Sequence, residues 1–477
     1  MSAQRKRTLG TLSFVLATTL VAAGTAAGSF FLVKARKAKT DLAEFIVAHP
    51  ESVGVVVTTV DEDGAAVADG YDLARGAGQR LVLASTVKIA VHAAYADAVA
   101  SGQWAADQAI SVAEWERFYL PATDGGAHRS ALAALGIQAD EQGFARDPSA
   151  TVAVADVARA MIHTSDNAAT DYLVARLGRD LVAAVMEQAG LREHGVMVSL
   201  LGVALTLVNQ QRPPMSAGAL RGLVEQVAAG DASHLDRLAE RYLNDPEWRA
   251  GQIASLTSAA TSAGVDAEER WGFQVQGSHL LPAGTAQEYA RMMALIASGR
   301  LISPEVSAIM RQVLETAPAD EPLRVLFYDR YGTKDGLTAG VTTIASYAVP
   351  KRGALAGQQR VVVILLNDLP PDLWRDVVRY QGLYLLQADL AQAKGVFNQL
   401  RGVVASGDEI RIVRRRVPKG ETGGVNHPWQ VHSSRPPSFQ LPNIWLPAVL
   451  RTKLRSRRSN SPRSRHASSI YPVRTRR

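Results

Sequence analysis

Strand-like segments lie near both ends of the central part of this chain, with helical patterns between them. Residues 52–60 are rich in valine and threonine, and residues 61–64, Asp-Glu-Asp-Gly, are typical of a turn. Residues 338–341, 343–349 and 360–366 also have β-branched character and predict antiparallel strands joined by short turns. The sequence therefore predicts an α+β fold, in which one antiparallel sheet takes strands from both chain ends, is flanked by helices and encloses an inserted helical region.

Apolar residues at helical spacing predict the other elements of the chain. Helices are expected over residues 41–49, 85–100, 151–164, 168–177, 285–299, 303–314 and 373–394. Residues 217–271 are typical of successive helices, within a stretch from 196 to 276 that has no recognisable motif. We interpret residues 196–276 as an insertion in a domain that spans about residues 40–400.

The basic residues of this chain are unevenly distributed. The formal net charge is +7, yet residues 401–477 alone hold 17 Lys and Arg against 3 Asp and Glu, which leaves −7 for residues 1–400. We therefore expect no nucleic acid as a partner of the folded body. The segment 401–477 has several prolines and no sustained hydrophobic period, so it is predicted to be a basic, largely disordered tail. Binding of this tail to an anionic polymer or lipid is left open.

An apolar run near the N-terminus, residues 8–33, is long enough to span a bilayer. Basic residues flank it on both sides, including the triplet at 5–7. We interpret residues 1–39 as an N-terminal membrane anchor or signal segment, with a single pass and the folded body outside the cytoplasm. Small residues at 25–28 leave cleavage and secretion open. The chain has no cysteine, which excludes disulfides and thiolate chemistry.

A serine and a lysine stand three residues apart at the start of a predicted helix. On a helix this spacing places Ser85 and Lys88 on the same side. A lysine that is desolvated by an apolar helix can lose its charge and accept the serine proton. The pair is therefore a candidate nucleophile and base, although the same pattern also occurs at ordinary helix starts.

Two further motifs follow in the chain. Ser165-Asp166-Asn167 separates two predicted helices, where such residues also serve as ordinary helix caps. Lys334-Asp335-Gly336 precedes the predicted strand at residues 338–341. Together with Ser85 and Lys88, these motifs supply a nucleophile, an amine base, a hydroxyl for proton relay and a cation.

This order of motifs resembles the penicillin-recognising serine hydrolases, and most closely the class A β-lactamases, over about residues 40–395. The resemblance implies that Ser85 forms an acyl-enzyme and that Lys88 helps to activate it. Ser165 would relay a proton to the leaving group, and Asn167 would bind the substrate amide and orient Lys88. Lys334 would supply positive charge to the substrate and to the Ser165 hydroxyl.

The resemblance also implies an oxyanion hole formed by the backbone N–H groups of Ser85 and Leu337, beside a substrate-binding strand that includes Asp335 and Gly336. One departure lies in this strand. The family usually has Thr or Ser after the strand lysine, where the hydroxyl binds a substrate carboxylate. The negative charge of Asp335 would repel a carboxylate unless Asp335 is paired or turned away.

A second departure concerns hydrolysis of the acyl-enzyme. Class A β-lactamases place a Glu-x-x-x-Asn loop in the region that corresponds to residues 199–205, and these residues include no acid. Glu193 comes earlier, and Glu268 and Glu269 lie beyond the long insertion. A displaced loop that supplies Glu268 or Glu269 is one alternative, and two solvated surface acids are the other. Without such a base, efficient β-lactam hydrolysis is not expected.

Two histidines, His128 and His92, have a structural as well as a functional interpretation. His128 follows a glycine-rich loop and is interpreted as structural or exposed, with a place in the cleft as the alternative. His92, one turn after Lys88, is interpreted as packed or surface-exposed. No spacing of His, Asp and Glu resembles a metal site, so neither metal nor cofactor is expected.

Three functions remain open from the sequence. The first is a serine hydrolase of the β-lactamase or D-Ala-D-Ala peptidase type, which acts through an acyl-enzyme on a small-molecule or peptidoglycan-derived amide or ester. The second is a β-lactamase that hydrolyses β-lactam antibiotics. The third is a non-catalytic module that binds cell-wall peptide.

Overall fold

The fold is described from a computed structural model, which describes residues 26–208, 215–257, 267–316 and 324–406. The predicted tail beyond residue 406 and residues 1–25 of the predicted N-terminal segment lie outside the described residues. Within the described ranges, no helix is both long and apolar enough to cross a membrane.

The strands form one large antiparallel sheet and two small ones. The strands are β1 Val53–Val60, β2 Ala66–Val67, β3 Leu73–Arg75, β4 Arg80–Val82, β5 Ala109–Ser111, β6 Thr151–Ala153, β7 Ala283–Thr285, β8 Tyr328–Thr338, β9 Val341–Pro350 and β10 Gln359–Leu366. The large sheet has the order β2-β1-β10-β9-β8, with β3 also paired to β1. The two small sheets pair β4 with β7 and β5 with β6. The large sheet thus takes β1 from one chain end and β8–β10 from the other, which confirms the predicted fold class.

Helices cover both faces of this sheet. The helices are α1 Ala26–Ala48, α2 Lys88–Ala100, α3 Val112–Glu116, α4 Ala127–Ala134, α5 Val154–His163, α6 Asn167–Leu177, α7 Arg179–Gln188, α8 Leu200–Leu207, α9 Ala217–Ala228, α10 Ser233–Asn244, α11 Pro246–Thr257, α12 Ala267–Ser278, α13 Ala286–Ser298, α14 Pro304–Leu314, α15 Arg324–Phe327, α16 Pro371–Tyr380, α17 Gly382–Ala391 and α18 Val396–Ser406. Two short 3-10 turns lie at Pro50–Ser52 and Ala84–Val87.

The central strands are buried on both faces because alternate side chains enter different cores. β1 and β10 pair in register from Val53 with Leu366 to Val60 with Gln359. In β10, Val361 and Val363 belong to the core cluster that includes residues of α2 and α13. Val362, Ile364 and Leu366 point to the other face and belong to the cluster that includes residues of α1, α16 and α17. This accounts for the continuous run of apolar residues in β10, which is typical of strands covered on both sides.

The predicted insertion is helical and shares its cores with the rest of the domain. α8–α12 fall within residues 196–276 except for the last two residues of α12. Leu200 and Val203 of α8 pack in one cluster with Val82 and Ala84, which directly precede the Ser85 motif. Leu201 packs in a second cluster, which consists of Leu120, Leu201, Ala204, Leu205, Ala239 and Tyr242.

Several predicted boundaries differ from the structure. The predicted strand at residues 338–341 is instead the turn between β8 and β9, where Gly340 has φ 70° and Thr338 pairs with Val341. The predicted final helix, residues 373–394, is divided into α16 and α17 at Gln381, which has φ 55°. α1 begins 15 residues before the predicted start at residue 41 and packs against α16 and α17.

Candidate active site

The candidate nucleophile Ser85 lies in the short turn Ala84–Val87, between β4 and α2. Ala84 has φ 46°, a left-handed conformation that residues with a Cβ atom rarely adopt. The turn buries Thr86 and Val87 and leaves the Ser85 side chain partly exposed. Within the described residues the Ser85 hydroxyl has no hydrogen-bond partner.

Contacts with the sheet fix the main chain around Ser85. Thr343 of β9 donates a hydrogen bond from its hydroxyl to Leu83 O at 2.8 Å, and its oxygen lies 2.7 Å from Thr86 Oγ1. β8 passes so close that a Cβ atom added to Gly336 would lie 2.7 Å from both Ser85 N and Leu83 O. Gly336 therefore lets β8 approach the nucleophile. No sequence pattern distinguished Thr343 from the other strand residues.

Lys88 is the first residue of α2, and its side chain is fully buried. Its Nζ atom donates to Ser165 O at 2.6 Å and to Asn167 Oδ1 at 2.7 Å, and lies 3.3 Å from Ser165 Oγ. The structure thus brings together Lys88, Ser165 and Asn167, three residues that the sequence analysis selected from two separate motifs.

Burial lowers the pKa of Lys88 to about 7, and the positive charge of Lys334 acts in the same direction. The carboxylates of Asp166, Asp124 and Asp171 act in the opposite direction. An amine with such a pKa is partly neutral at neutral pH. It can therefore accept a proton from a hydroxyl, which an ordinary lysine cannot do efficiently.

The motif Ser165-Asp166-Asn167 forms the connection between α5 and α6. Ser165 has φ 62°, which places a residue with a Cβ atom in a sparsely populated conformation. Asp166 is the N-cap of α6 and accepts a hydrogen bond from Ala169 N at 3.1 Å. Asn167 is the first residue of α6, so the helix start directs its side chain to Lys88.

Lys334 and Asp335 lie inside β8, not before it, and they pair with each other. Lys334 Nζ, nearly fully buried, donates to Asp335 O at 2.7 Å and lies 3.3 Å from Asp335 Oδ1. Burial alone would raise the pKa of Asp335, but the Lys334 charge and a hydrogen bond from Tyr384 lower it. Asp335 is therefore ionised and paired, so its charge is partly compensated, while the Lys334 ammonium is already engaged by a carboxylate of its own strand.

The remaining predicted residues have more limited contacts. Within the described residues, Lys334 Nζ hydrogen-bonds only to Asp335, and its positive charge contributes to the lowered pKa of Lys88. Leu337 follows Gly336 in β8, and its partly buried side chain packs against the core on the α17 side. Any role of Leu337 at the nucleophile is therefore a role of its main chain.

His128, which the sequence analysis interpreted as structural or exposed with a place in the cleft as the alternative, is buried next to the Ser165-Asp166-Asn167 connection. It is fully buried in α4, where its Nδ1 atom lies 2.8 Å from Asp166 Oδ2 and its Nε2 atom 3.2 Å from Glu116 Oε1. The Tyr119 ring stacks on the imidazole, with ring centroids 4.3 Å apart. The alternative that His128 is exposed is wrong. No sequence pattern indicated this network, because the partners of His128 lie 12 and 38 residues away in the chain.

Residues 199–205, the region in which the resemblance places a deacylating acid, include no acid and are held by hydrogen bonds to Asp171. At the start of α8, Leu200 N and Leu201 N donate to the carboxylate of Asp171 at 2.9 and 2.7 Å, and Ser199 Oγ donates to it at 2.9 Å. Asp171 lies one turn after Asn167 in α6, so α6 holds α8 against the site. Both oxygens of this buried carboxylate are committed to these donors.

The other acids considered from the sequence lie at the surface. Glu193 is exposed in the segment after α7. Glu268 and Glu269 are exposed in the first turn of α12, which favours the interpretation of solvated surface acids. In the part of the chain that the structure describes, no group of three His, Cys, Asp or Glu residues could hold a metal ion.

His92 of α2 is fully buried, so the packed alternative holds for this residue. Within the described ranges neither ring nitrogen forms a well-directed hydrogen bond. Burial lowers the pKa of His92 to about 3. The residue is therefore a neutral part of the core next to the site.

Comparison with known proteins gives a family match and several solved structures. Residues 37–332 match the model described as the beta-lactamase enzyme family. A β-lactamase from Sphaerobacter thermophilus DSM 20745 is 17% identical, with coverage of 72% of this chain and 97% of that chain and a TM-score of 0.39. A β-lactamase from Chitinophaga pinensis DSM 2588 is 12% identical, with coverage of 73% and 98% and a TM-score of 0.43.

A third solved structure is a mutant of PBP-A, titled as an acyl-enzyme complex with penicillin-G. It is 15% identical, with coverage of 74% of this chain and 97% of that chain and a TM-score of 0.38. No curated protein matches the chain. The family match ends at residue 332, just before Lys334, so the lysine strand is placed by the structure and not by the family model.

Proposed function

The chain belongs to the beta-lactamase enzyme family, and from this premise we propose that it is a serine hydrolase that forms an acyl-enzyme on Ser85. Its substrate is an amide or ester, either a small molecule or a compound derived from peptidoglycan. The family assignment supports a hydrolase of the β-lactamase type. The individual steps and the substrate are the proposal.

The main support for the proposal is the burial of Lys88 and the lowered pKa of its amine. Its amine is buried, has a pKa of about 7, and is held by Ser165 and Asn167. It begins the helix directly after the turn that contains Ser85. A buried amine that is only partly charged, three residues after a serine, supports a nucleophile and a base, although in the described residues Lys88 Nζ is hydrogen-bonded to Ser165 and Asn167 and not to Ser85.

The reaction proceeds in two transfers of the acyl group. Neutral Lys88 accepts the Ser85 proton while Ser85 Oγ attacks the carbonyl carbon of the substrate. The backbone N–H groups of Ser85 and Leu337 stabilise the oxyanion of the tetrahedral intermediate. The bond to the leaving nitrogen or oxygen then breaks, and the Ser165 hydroxyl passes a proton to that atom and regains one from Lys88. Water finally hydrolyses the Ser85 ester and releases the acid.

The pairing of Lys334 with Asp335 supports a restriction on the substrate. The ammonium of Lys334 is the buried cation of β8, and its described hydrogen bonds go to Asp335. A carboxylate on the substrate would have to compete with this carboxylate for the same cation. We therefore propose that preferred substrates are neutral or cationic near the strand, rather than acids of the penicillin type.

The apolar start of α8 supports a slow second step. Leu200 and Leu201 occupy the end of α8 that Asp171 holds against α6, and residues 199–205 include no acid. No carboxylate of that segment can activate water against the ester. The proposed enzyme consequently retains its acyl group for longer than an efficient β-lactamase does.

A location outside the cytoplasm forms part of the same proposal. The apolar run of residues 8–33 between basic flanks supports a membrane anchor or a cleaved signal segment. Phe30 and Val33, at the described end of this run, are exposed. Cell fractionation of the full-length chain, followed by mass measurement of the isolated protein, tests both forms. A full-length cytosolic protein would contradict the proposal.

Covalent labelling tests the proposed chemistry. The purified full-length protein is treated with a fluorophosphonate probe and, separately, with a fluorescent penicillin, and a Ser85→Ala variant serves as control. We expect fluorophosphonate labelling that requires Ser85. We expect the penicillin, which is an acid, to label slowly and to be released slowly.

Each other outcome selects a different function. Fast turnover of the penicillin would favour the β-lactamase alternative and contradict the slow second step. Absence of Ser85-dependent labelling by either probe, in a folded protein, would contradict a serine hydrolase. A non-catalytic module that binds cell-wall peptide would then be the remaining alternative.

A further inference from the structure

His128 is held by two carboxylates on opposite sides of its ring. Nδ1 faces Asp166 Oδ2 at 2.8 Å, and Nε2 faces Glu116 Oε1 at 3.2 Å. The side chains of His128 and Asp166 are completely buried, and that of Glu116 is 7% exposed. Because ionised carboxylates only accept hydrogen bonds, both ring nitrogens must carry protons, and this requires the imidazolium form.

We propose that His128 is a positioning residue, whose imidazolium holds Asp166 and thereby fixes the Ser165-Asp166-Asn167 connection against Lys88. The inference rests on the proposed function, because it assigns His128 to the site that contains Ser85. It adds a residue that does not contact the nucleophile and acts through Asp166.

The connection needs external support because Ser165 is in a strained conformation. Its φ of 62° lies in the left-handed region, which persists in residues with a Cβ atom only when the surroundings enforce it. Lys88 holds Ser165 by its carbonyl oxygen. Asp166, the next residue, is held on one oxygen by Ala169 N and on the other by His128. Among the residues that the structure describes, the cap of α6 would be the only remaining contact of the Asp166 carboxylate without His128.

The network behind His128 is itself rigid. Glu116 Oε1 also accepts a hydrogen bond from Ala145 N. Asp124 Oδ2 accepts a hydrogen bond from the backbone N–H of His128 at 2.7 Å, so the start of α4 is fixed as well. The Tyr119 and Trp115 rings lie against the imidazole with centroids 4.3 and 4.8 Å away. These contacts leave the His128 ring no room to follow a displaced Asp166.

The charge of His128 has a second consequence at Lys88. The charges that act on Lys88 are Lys334 from β8, Asp124 from the loop before α4, and Asp166 and Asp171 from the start and second turn of α6. Those that act on His128 are Asp166, Glu116 and Asp124. The Asp166 carboxylate therefore acts on both cations and favours the charged form of each. Removal of the imidazolium charge leaves Asp166 uncompensated, and this raises the pKa of Lys88.

Two substitutions separate this role from ordinary support of the fold. His128→Gln removes the positive charge and keeps one donor, whereas Asp166→Asn removes the negative charge and keeps one acceptor oxygen, which can still serve as the cap of α6. His194→Gln is the control, because His194 is a partly buried histidine that also has two hydrogen bonds, to Gly195 O and Tyr289 OH, away from this connection.

The measurement is the rate of fluorophosphonate labelling of Ser85 in the full-length protein, as a function of pH. We expect His128→Gln to lower the maximal rate by about tenfold or more through loss of alignment, and to move the acid limb to higher pH. We expect Asp166→Asn to move the acid limb to lower pH. His194→Gln should change neither. Circular dichroism and thermal unfolding of each variant identify any that fail to fold.

The opposite directions of the two shifts distinguish the inference from a general loss of structure. Equal rates and an unchanged pH profile in His128→Gln would overturn it, as would a shift of both variants in the same direction. If His128→Gln does not fold, the direction in which Asp166→Asn moves the acid limb still tests the effect of the Asp166 charge on Lys88. If the unmodified protein is not labelled at Ser85, the proposed function fails, and this result is recognisable before any variant is made.

Discussion

Lys88 Nζ donates a hydrogen bond to Asn167 Oδ1 at 2.7 Å, although the two residues are 79 positions apart in the chain. The bond joins the first residue of α2 to the first residue of α6, so the starts of two buried helices meet at the candidate site. The amine has no exposed surface. Its protonation is therefore set by the protein and not by bulk water.

The pH dependence of labelling should report this amine directly. Because Lys88 must be neutral to accept the Ser85 proton, we expect the labelling rate to rise from acid pH to a plateau, with a midpoint near the Lys88 pKa of about 7. The measurement is the fluorophosphonate rate between about pH 5 and pH 9. Lys88→Ala should abolish the rise and most of the labelling. A flat profile in the unmodified protein would exclude Lys88 as the base.

Gly336 should be intolerant of any side chain. Alanine at this position would place its Cβ atom 2.7 Å from Ser85 N, which requires β8 or the Ser85 turn to move. We expect Gly336→Ala to reduce the labelling rate by about 100-fold and to destabilise the fold by about 1–3 kcal/mol. Labelling kinetics and urea unfolding measure the two effects.

Gly251 of α11 provides the control for Gly336, because an added Cβ atom there would meet nothing within 4 Å. We expect Gly251→Ala to leave the labelling rate unchanged and to stabilise the helix by about 0.5–1 kcal/mol. Normal labelling in Gly336→Ala would show that β8 does not constrain the Ser85 turn.

The pairing of Lys334 with Asp335 should control the preference between charged and neutral acyl donors. Removal of the carboxylate frees the Lys334 ammonium, so we expect Asp335→Asn to accelerate acylation by the fluorescent penicillin by about tenfold. The uncharged fluorophosphonate should react at a similar rate in both proteins. Asp329→Asn is the control, since Asp329 lies in the same strand, is exposed and pairs with Lys351. No gain of penicillin labelling in Asp335→Asn would contradict the proposed substrate restriction.

Much of this site was predictable because its motifs act locally. The three-residue spacing of Ser85 and Lys88, and the cap-like residues at Ser165 and Asn167, depend only on the start of a helix. The strands at residues 53–60 and 359–366 were also predictable, because long β-branched runs have few alternatives. Such features are decided within one element of the chain.

Features that depend on distant contacts or on single backbone angles were not predictable. The turn at Gly340 falls within the predicted strand, because the β-branched residues Thr338 and Val341 lie directly on either side of it. His128 was interpreted from its glycine-rich loop, and its burial depends on Glu116 and Asp166, which other elements supply. α1 was predicted too short, because its first residues belong to the apolar run assigned to a membrane segment.

His92 should make the protein less stable in acid. In the folded protein its pKa is about 3, whereas an unfolded histidine has a pKa near 6.5. Between these values the unfolded state binds a proton that the folded state does not, so stability falls as pH decreases from 6.5 towards 3. At pH 5 this loss amounts to about 2 kcal/mol for one group.

The substitution His92→Leu isolates this contribution. Leucine cannot titrate and leaves no unpaired buried nitrogen, so we expect it to stabilise the protein by about 1 kcal/mol or more at neutral pH and by a larger amount at pH 5. Urea unfolding at the two pH values gives the difference, and other titrating groups, including His194 with its lowered pKa of about 4, cancel in the comparison. His49→Leu is the control, because the side chain of His49 is 48% exposed and does not belong to the buried core. If His92→Leu changed the free energy of unfolding equally at both pH values, His92 would gain its proton in the folded state without cost. The core around α2 would then admit water or a partner for the charged ring.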